Sequence, residues 1–356
     1  MSIVEITVAG EPRERGRQHG TQLRAEIGGL YERWLACGSR QAPPIGEDEL
    51  LAFAEAHVAP ACAYAPAWVE EIAGIAEGAR LAFEQAFLLS CWDELCSWFS
   101  VHGDRPLAAG CTSFASRRPE VLIAQNQDAW RWWRPVVVVH SHPSDGTPSA
   151  VYGAHPGVLT TLGVNEHGIG LVANSLLPAD RGVGVPFAVV AREALAQRTL
   201  ADALAAILRA PRATGANFIL ASEEAAVDVE VSHEEADVTY VADVLAHANH
   251  YLCPRLAGQD VGAALLPDSY LREGRMRSML RDAPPDRPED AISLLSDHEG
   301  APTSICRHPA AQIDDMETLG AVVVVPGERA LYVTDGPPCR SDVLRFEVVA
   351  ADAVVP

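Results

Sequence analysis

The chain has 356 residues, 48% hydrophobic and 21% charged, the balance of a soluble globular protein able to bury a substantial core. Lys+Arg total 27 against 48 Asp+Glu, a net charge of −21 that repels phosphate backbones and anionic membrane faces, so neither nucleic acid nor a membrane is an expected partner. Every fixed side-chain cation is arginine, since the sequence contains no lysine; Schiff-base and phosphate-loop lysines are thereby excluded.

The opening MSIVEITVAGEPRERGRQHG has no basic region followed by an apolar run, so no secretion signal is expected. The eight cysteines show no C-x-x-C spacing and read as thiols, with the cytoplasm as expected location. Up to Cys111 the periodicity is mostly helical. One helix is expected over residues 12–38, with proline in its first turn and glycine at its end. EDELLAFAEAHV follows, then PAWVEEIAGIAEGARL, where Trp68, Ile72, Ile75 and Ala79 recur at three- and four-residue steps. FEQAFLLSCWDELCSWF closes the helical block.

From Cys111 onward short strands dominate. CTSFAS and VLIAQNQD flank the turn-prone RRPE as a hairpin, and VVVVHSH, SAVYGA, TTLGVN and GIGLVANSL continue the series. Helices are expected near Phe187–Gln197 and Leu200–Arg209, then the strands ANFILAS, AAVDVEV and DVTYVA. A helical stretch from Tyr270 to Leu295, broken by the loop DAPPDRPED, precedes the strands SICRH, GAVVVVP and RALYVTD. Valine-rich strands with little polar alternation imply sheets covered on both faces, hence helix layers outside two stacked sheets.

LAAGCTSFAS puts Cys111 directly after Gly110 at the mouth of a strand. A thiol needs a base or a lowered pKa to act as a nucleophile at neutral pH, and no histidine stands beside it in sequence. If the Gly110–Cys111 bond were cut, Cys111 would carry an α-amine of reference pKa about 7.7–8.0, so one residue would supply nucleophile and base. The same thiol could make the cut by attacking the Gly110 carbonyl, where glycine gives little shielding and tolerates the strained geometry.

GCTSFA followed by AQNQDAW, with GRQHG, GVNEHGIGLVANSL, HANHY and ICRHP, together resemble the acyl-coenzyme A:6-aminopenicillanic acid acyltransferase family. These are autoprocessing N-terminal-nucleophile hydrolases related to penicillin V acylase and the bile salt hydrolases. The resemblance implies an α+β fold, a four-layer αββα sandwich. Residues 1–110 would form a helical fragment packed on a catalytic fragment 111–356, the two staying associated after self-cleavage as one compact unit. It makes Cys111 the nucleophile and Asp128 the residue that orients it and its amine. Asn249 and Asn174 match side-chain amides of the oxyanion hole, a task suited to donors that exchange no proton. Arg307 matches an arginine of the relatives' sites; Gln125 stands where bile salt hydrolases carry another. No cofactor is expected, although the family admits a coenzyme A thioester as co-substrate. The implied reaction is hydrolysis or acyl transfer on an amide or thioester of a small acylated amine or peptide-like metabolite.

In WRWWRP, Trp130, Arg131 and Trp133 could line an acyl pocket or bind a carboxylate; packing at a sheet edge is the alternative. His140, His142 and His155 lack a fourth ligand at recognised spacing, so no metal site is expected. Two other functional readings stay open: an uncleaved cysteine hydrolase with His102 or another distant histidine as base, and a non-catalytic binding protein of the same fold.

Overall fold

The computed structural model describes residues 3–102, 110–134, 136–310 and 316–349. The chain starts with a strand, β1 (Val4–Gly10), parallel to β4 (Val137–Pro143), so the segment before Cys111 is not purely helical. The helix expected over 12–38 is two helices, α1 (Pro12–Gln22) and α2 (Arg24–Ser39). They part at Leu23, whose backbone leaves helical geometry (φ −116°, ψ 23°) while its side chain enters the core. Helices α3 (Glu47–Tyr64), α4 (Pro66–Ala79), α5 (Phe83–Ser90) and α6 (Trp92–His102) complete the block.

The GRQHG motif builds this block. A Cβ on Gly16 would lie 1.9 Å from the Glu71 carbonyl oxygen, and one on Gly20 2.2 Å from that of Ile75. Reciprocally, Gly74 and Gly78 meet the carbonyls of Arg13 and Arg17 at 2.0 and 2.3 Å. Two glycine pairs spaced i, i+4 thus let α1 and α4 touch backbone to backbone. His19 Nε2 accepts from the Gly157 backbone N–H at 3.0 Å, and burial pushes its pKa down to about 4, so it is neutral. Gly74→Ala is expected to destabilise by about 1–3 kcal/mol or more, because neither backbone can yield. Gly28→Ala on α2, with nothing within 4 Å, is expected to be neutral or stabilising. Equal melting temperatures for the two variants would refute this account.

Among the described residues the strands form two sheets. The larger has the order β1-β4-β5-β6-β7-β8-β9-β10, adding β5 (Ala150–Ala154), β6 (Leu162–Asn165), β7 (Gly170–Leu176), β8 (Gly215–Ala221), β9 (Ala226–Val231) and β10 (Ala236–Tyr240). The smaller runs β11-β2-β3-β12-β13-β14: β11 (Val244–His247), β2 (Gly110–Ser116), β3 (Leu122–Trp130), β12 (Met316–Val325), β13 (Ala330–Thr334) and β14 (Val343–Glu347).

Strand alternation sorts the core into layers. Ile123, Val322 and Val324 of the smaller sheet meet Val138, Val151, Val164 and Val172 of the larger between the sheets. Leu122, Ala124, Ala321 and Val323 turn the other way, onto Met276 and Leu280 of α11 (Asp268–Asp282) and Ile292 and Leu295 of α12 (Pro288–Leu295). The outer face of the larger sheet, with Val137, Val139, Tyr152 and Leu171, packs on the N-terminal helices and on α7 (Phe187–Leu195) and α8 (Leu200–Arg209). The order is helix, sheet, sheet, helix: the αββα sandwich. Short α9 (Pro254–Ala257) and α10 (Gly262–Leu265) lead into α11. SICRH, expected as a strand, is irregular, because its backbone bonds leave the ladder: Cys306 N–H donates to the Asp297 carbonyl and Arg307 N–H to Thr318 Oγ1.

Candidate active site at the start of β2

Cys111 and Asp128 come together through the β2–β3 hairpin, whose register sets Gly110 opposite Asp128 and Cys111 opposite Gln127. The odd-numbered residues of both strands face the larger sheet. Ser113 Oγ bonds Asn174 Oδ1 of β7, and the Gln125 side chain exchanges hydrogen bonds with both backbone groups of Ala173. Up to Asp128 the even-numbered residues face α11 and α12, as the Asn126 amide donating to the carbonyls of Leu295 and Ile305 shows. The Cys111 thiol therefore looks between the sheets, while the Asp128 carboxylate lies on the helix side and the Cys111 nitrogen sits between them.

That nitrogen is held. Cys111 N–H donates to Asn249 Oδ1 at 2.8 Å, and Arg272 Nη2 donates to the same oxygen at 3.0 Å. Two donors converging on one atom fix it as the oxygen of the amide. The Asn249 nitrogen donates to the Ser175 carbonyl at 3.1 Å, so in the uncut chain Asn249 orients the Cys111 nitrogen. Its loop is anchored by Glu230 of β9, which accepts from His247 Nε2 and from the backbone N–H groups of Leu252 and Cys253. Arg272 also donates to the Cys111 carbonyl and, at 2.9 Å, to Thr112 Oγ1.

Beneath the strand, Arg307 Nε lies 3.2 Å from Asp128 Oδ2, a Coulombic contact without the alignment of a directed hydrogen bond. Arg307 also donates to Asp268, which takes Arg272 Nε at 2.8 Å, and Thr318 Oγ1 donates to Asp128 Oδ1 at 2.7 Å. Two carboxylates and two guanidiniums thus form a charge-balanced buried cluster. Burial raises the Asp128 carboxyl, against the opposing pull of Arg307, Arg272 and Thr318. Gly110 has its own steric reason here: a Cβ would come 3.1 Å from the Arg307 guanidinium, which its two carboxylates hold in place.

Burial, then the Asp128 charge, push the Cys111 thiol up to about 11, so in the intact chain it is protonated at neutral pH. Asn174 is fully buried and its Nδ2 has no partner among the described residues. His155 comes near through Gln127, but its Nδ1–H donates to the Trp133 carbonyl at 3.2 Å and its Nε2 accepts from Gln127 at 2.8 Å, leaving no free lone pair. The side chain of His102 lies outside the described residues.

Trp130 and Trp133 join an aromatic cluster with Trp34, Trp92 and Trp132, ring centroids 4.9–6.0 Å apart, so both serve packing between helices and sheet. The Arg131 side chain is 56% exposed, 3.9 Å from Glu317. His140 pairs with Glu5 at 2.9 Å, away from His155. Four partners were not singled out in the sequence: Arg272, Asp268, Thr318 and Ser175. Arg272 alone left a trace, since Ser269, Arg272, Met276 and Leu280 recur at three- and four-residue steps and put a charge in the buried stripe of α11.

A second polar chain runs from the site into α6. Ser175, whose carbonyl holds Asn249, donates through Oγ to Asp93, and the neighbouring Glu94 accepts from the Phe187 backbone N–H at 2.8 Å. Glu94 lines a cavity of about 240 Å³ with Phe53, His57, Ser97, Trp98 and Arg181. Burial raises both carboxyls well above the ordinary range, and Asp93 raises Glu94 further. The native state then keeps protons that the unfolded chain has released, so stability falls as pH rises from the ordinary carboxylate range through the raised native values. Glu94→Gln is expected to flatten the fall in melting temperature with pH; an unchanged slope would reject this source.

A model of the family described as acyl-coenzyme A:6-aminopenicillanic acid acyl-transferase matches residues 117–338, more than half of the chain. That span holds Asp128, Asn174, Asn249, Asp268, Arg272 and Arg307, and starts just after Cys111. Curated proteins gave no significant match. Among solved structures, penicillin V acylase from Agrobacterium tumefaciens is similar at 16% identity and a TM-score of 0.44, covering 67% of this chain and 86% of that one. An arginine-to-leucine variant of conjugated bile acid hydrolase from Clostridium perfringens is similar at 11% identity and a TM-score of 0.45, covering 67% and 98%. On the match of the family model, the chain belongs to the acyl-coenzyme A:6-aminopenicillanic acid acyl-transferase family.

Proposed function

We propose that the chain is a cysteine N-terminal-nucleophile amidohydrolase or acyltransferase that matures by cutting itself between Gly110 and Cys111. The supporting observation is the attention given to the Cys111 backbone: Asn249 takes its N–H, and Arg272 binds both its carbonyl and Asn249. The pairing of β11 with β2 stops at Ser113, so side chains and not a ladder hold the Cys111 backbone on that side, which suits a nitrogen that is to become a chain terminus.

In maturation Cys111 Sγ adds to the Gly110 carbonyl carbon and the C–N bond breaks, the thiol proton passing to the departing nitrogen. The acyl group rests on sulfur as a thioester. Water then releases Gly110 as a carboxylate and restores the thiol. Toward substrate the intact chain is latent, because its thiol is protonated and the Cys111 nitrogen, still an amide, is no base. The new amine, of reference pKa about 7.7–8.0 and lowered by burial, is a free base near neutrality. With one N–H donated to Asn249 Oδ1, its lone pair is left to take the thiol proton. Asp128 with Arg307 holds the new terminus from below, and Asn174 Nδ2 supplies a donor to the oxyanion. The substrate is an amide or thioester of a small acylated amine or peptide-like metabolite. Water resolves the acyl-enzyme to an acid, or an amine resolves it to a new amide.

Intact mass of the purified protein tests this reading. Fragments ending at Gly110 and beginning at Cys111 are expected to co-purify, with an electrophilic thiol probe labelling the second at its first residue. A persistent 38.0 kDa chain that the probe labels equally well at other cysteines would overturn it.

A further inference from the structure

On the far side of the loop that delivers Arg307, four side chains from three separate segments converge. They are His298 after α12, Cys306 and His308 flanking Arg307, and Cys339 in the turn after β13; their donor atoms all lie within 4.8 Å of one another. His308 Nε2 is 3.0 Å from His298 Nε2, 3.3 Å from Cys339 Sγ and 4.0 Å from Cys306 Sγ. The two imidazoles stack with centroids 5.1 Å apart.

Hydrogen bonding does not account for this arrangement. A ring nitrogen has one hydrogen or one lone pair, so His308 Nε2 can satisfy one of its three neighbours. Four soft donors aimed at one point are what a thiophilic divalent cation satisfies. With Zn–S about 2.3 Å and Zn–N about 2.0–2.1 Å, tetrahedral coordination spaces donors roughly 3.3–3.8 Å apart, within about 1 Å of the spacings seen. Two imidazoles, two thiolates and one dication make a neutral centre in which every position is taken by protein, the pattern of a structural site.

The geometry points to a zinc(II) ion held by His298, Cys306, His308 and Cys339 in a closed Cys₂His₂ centre that fastens the irregular 296–310 segment to the turn after β13. On binding, each thiol gives up its proton to solvent and no electron is transferred. Arg307 stands between two of the ligands with its side chain turned inward to Asp128 and Asp268. The ion therefore positions that arginine by pinning the backbone on both sides of it.

Elemental analysis of the untagged full-length protein, prepared under reductant without chelator, is expected to find stoichiometric zinc. Cys339→Ser and His298→Ala alter exposed positions. Both variants are expected to fold and to lose the metal. Cobalt(II) in place of zinc is expected to give the intense visible bands of a tetrahedral thiolate complex, absent in Cys339→Ser. A chelator is expected to lower the melting temperature of the wild type and leave that of Cys339→Ser unchanged. Wild-type protein that takes up neither zinc nor cobalt, full metal retention in both variants, or a Cys306–Cys339 disulfide in freshly prepared protein would each overturn the assignment. None of these readouts depends on cleavage or turnover, so failure here and failure of the catalytic reading are separable.

Discussion

Cys111→Ala is expected to leave a single 38.0 kDa chain with no turnover, while its melting temperature stays close to that of the wild type. The thiol supplies the sulfur for both acyl transfers, so its removal stops cleavage and catalysis together. Loss of a nucleophile from a catalytic unit has cost about 10⁶ in turnover elsewhere. Stability should change little, since the side chain is small and its polar neighbours bond to the backbone of Cys111, which alanine retains. Cys111→Ser keeps a weaker nucleophile and should cut more slowly. Efficient cutting at Gly110 in the alanine variant would mean another protease makes the cut. Self-processing would then be wrong.

The second large effect is expected from Arg272→Met. The substitution keeps most of the volume but removes donors to the Cys111 carbonyl, Thr112, Asn249 and Asp268, leaving Asp268 and Asp128 to share Arg307 as their cation among the described residues. An uncompensated charge in such a cluster costs about 3–5 kcal/mol. Asp268→Asn in the same chain restores the charge balance, so the double variant should recover part of the loss, with a coupling energy of about 0.5–3 kcal/mol. Cleavage should stay impaired in both, because Asn249 and the Cys111 carbonyl lose their donor whatever the net charge. Additive losses of stability would show that the cluster is not a unit. Normal cleavage in the single variant would remove Arg272 from the site.

Much of the architecture was legible because it rests on local patterns. The valine-rich runs became the strands that fill all three core layers, and the three- and four-residue steps of Trp68, Ile72, Ile75 and Ala79 became the inner face of α4. The hairpin register that pairs Gly110 with Asp128 follows from two strands and a short turn. β1 was missed: a single edge strand pairing in parallel with residues more than a hundred positions away leaves no local mark. The break at Leu23 was missed because no glycine or proline adjoins it: Thr21, Gln22, Arg24 and Ala25 stand on either side.

The chain's residues alone decided that lysine chemistry is absent, that a cysteine follows a glycine at the head of a strand, and that an aspartate lies on the partner strand. They also carried the motifs by which the family resemblance could be stated. Tertiary structure decided the rest. It put the Asn249 oxygen on the Cys111 nitrogen, left the Asn174 amide unpaired, brought Arg272 up from α11, and showed GRQHG to be a helix-packing device. It also gathered His298, Cys306, His308 and Cys339, whose spacing along the chain follows no recognised ligand pattern. The division has one cause: periodicity and hairpin pairing act over a few residues and are written in neighbouring side chains. A buried charge or a ligand cluster is chosen by whatever distant segment the fold carries within about 4 Å, and nothing beside it in the chain records that partner.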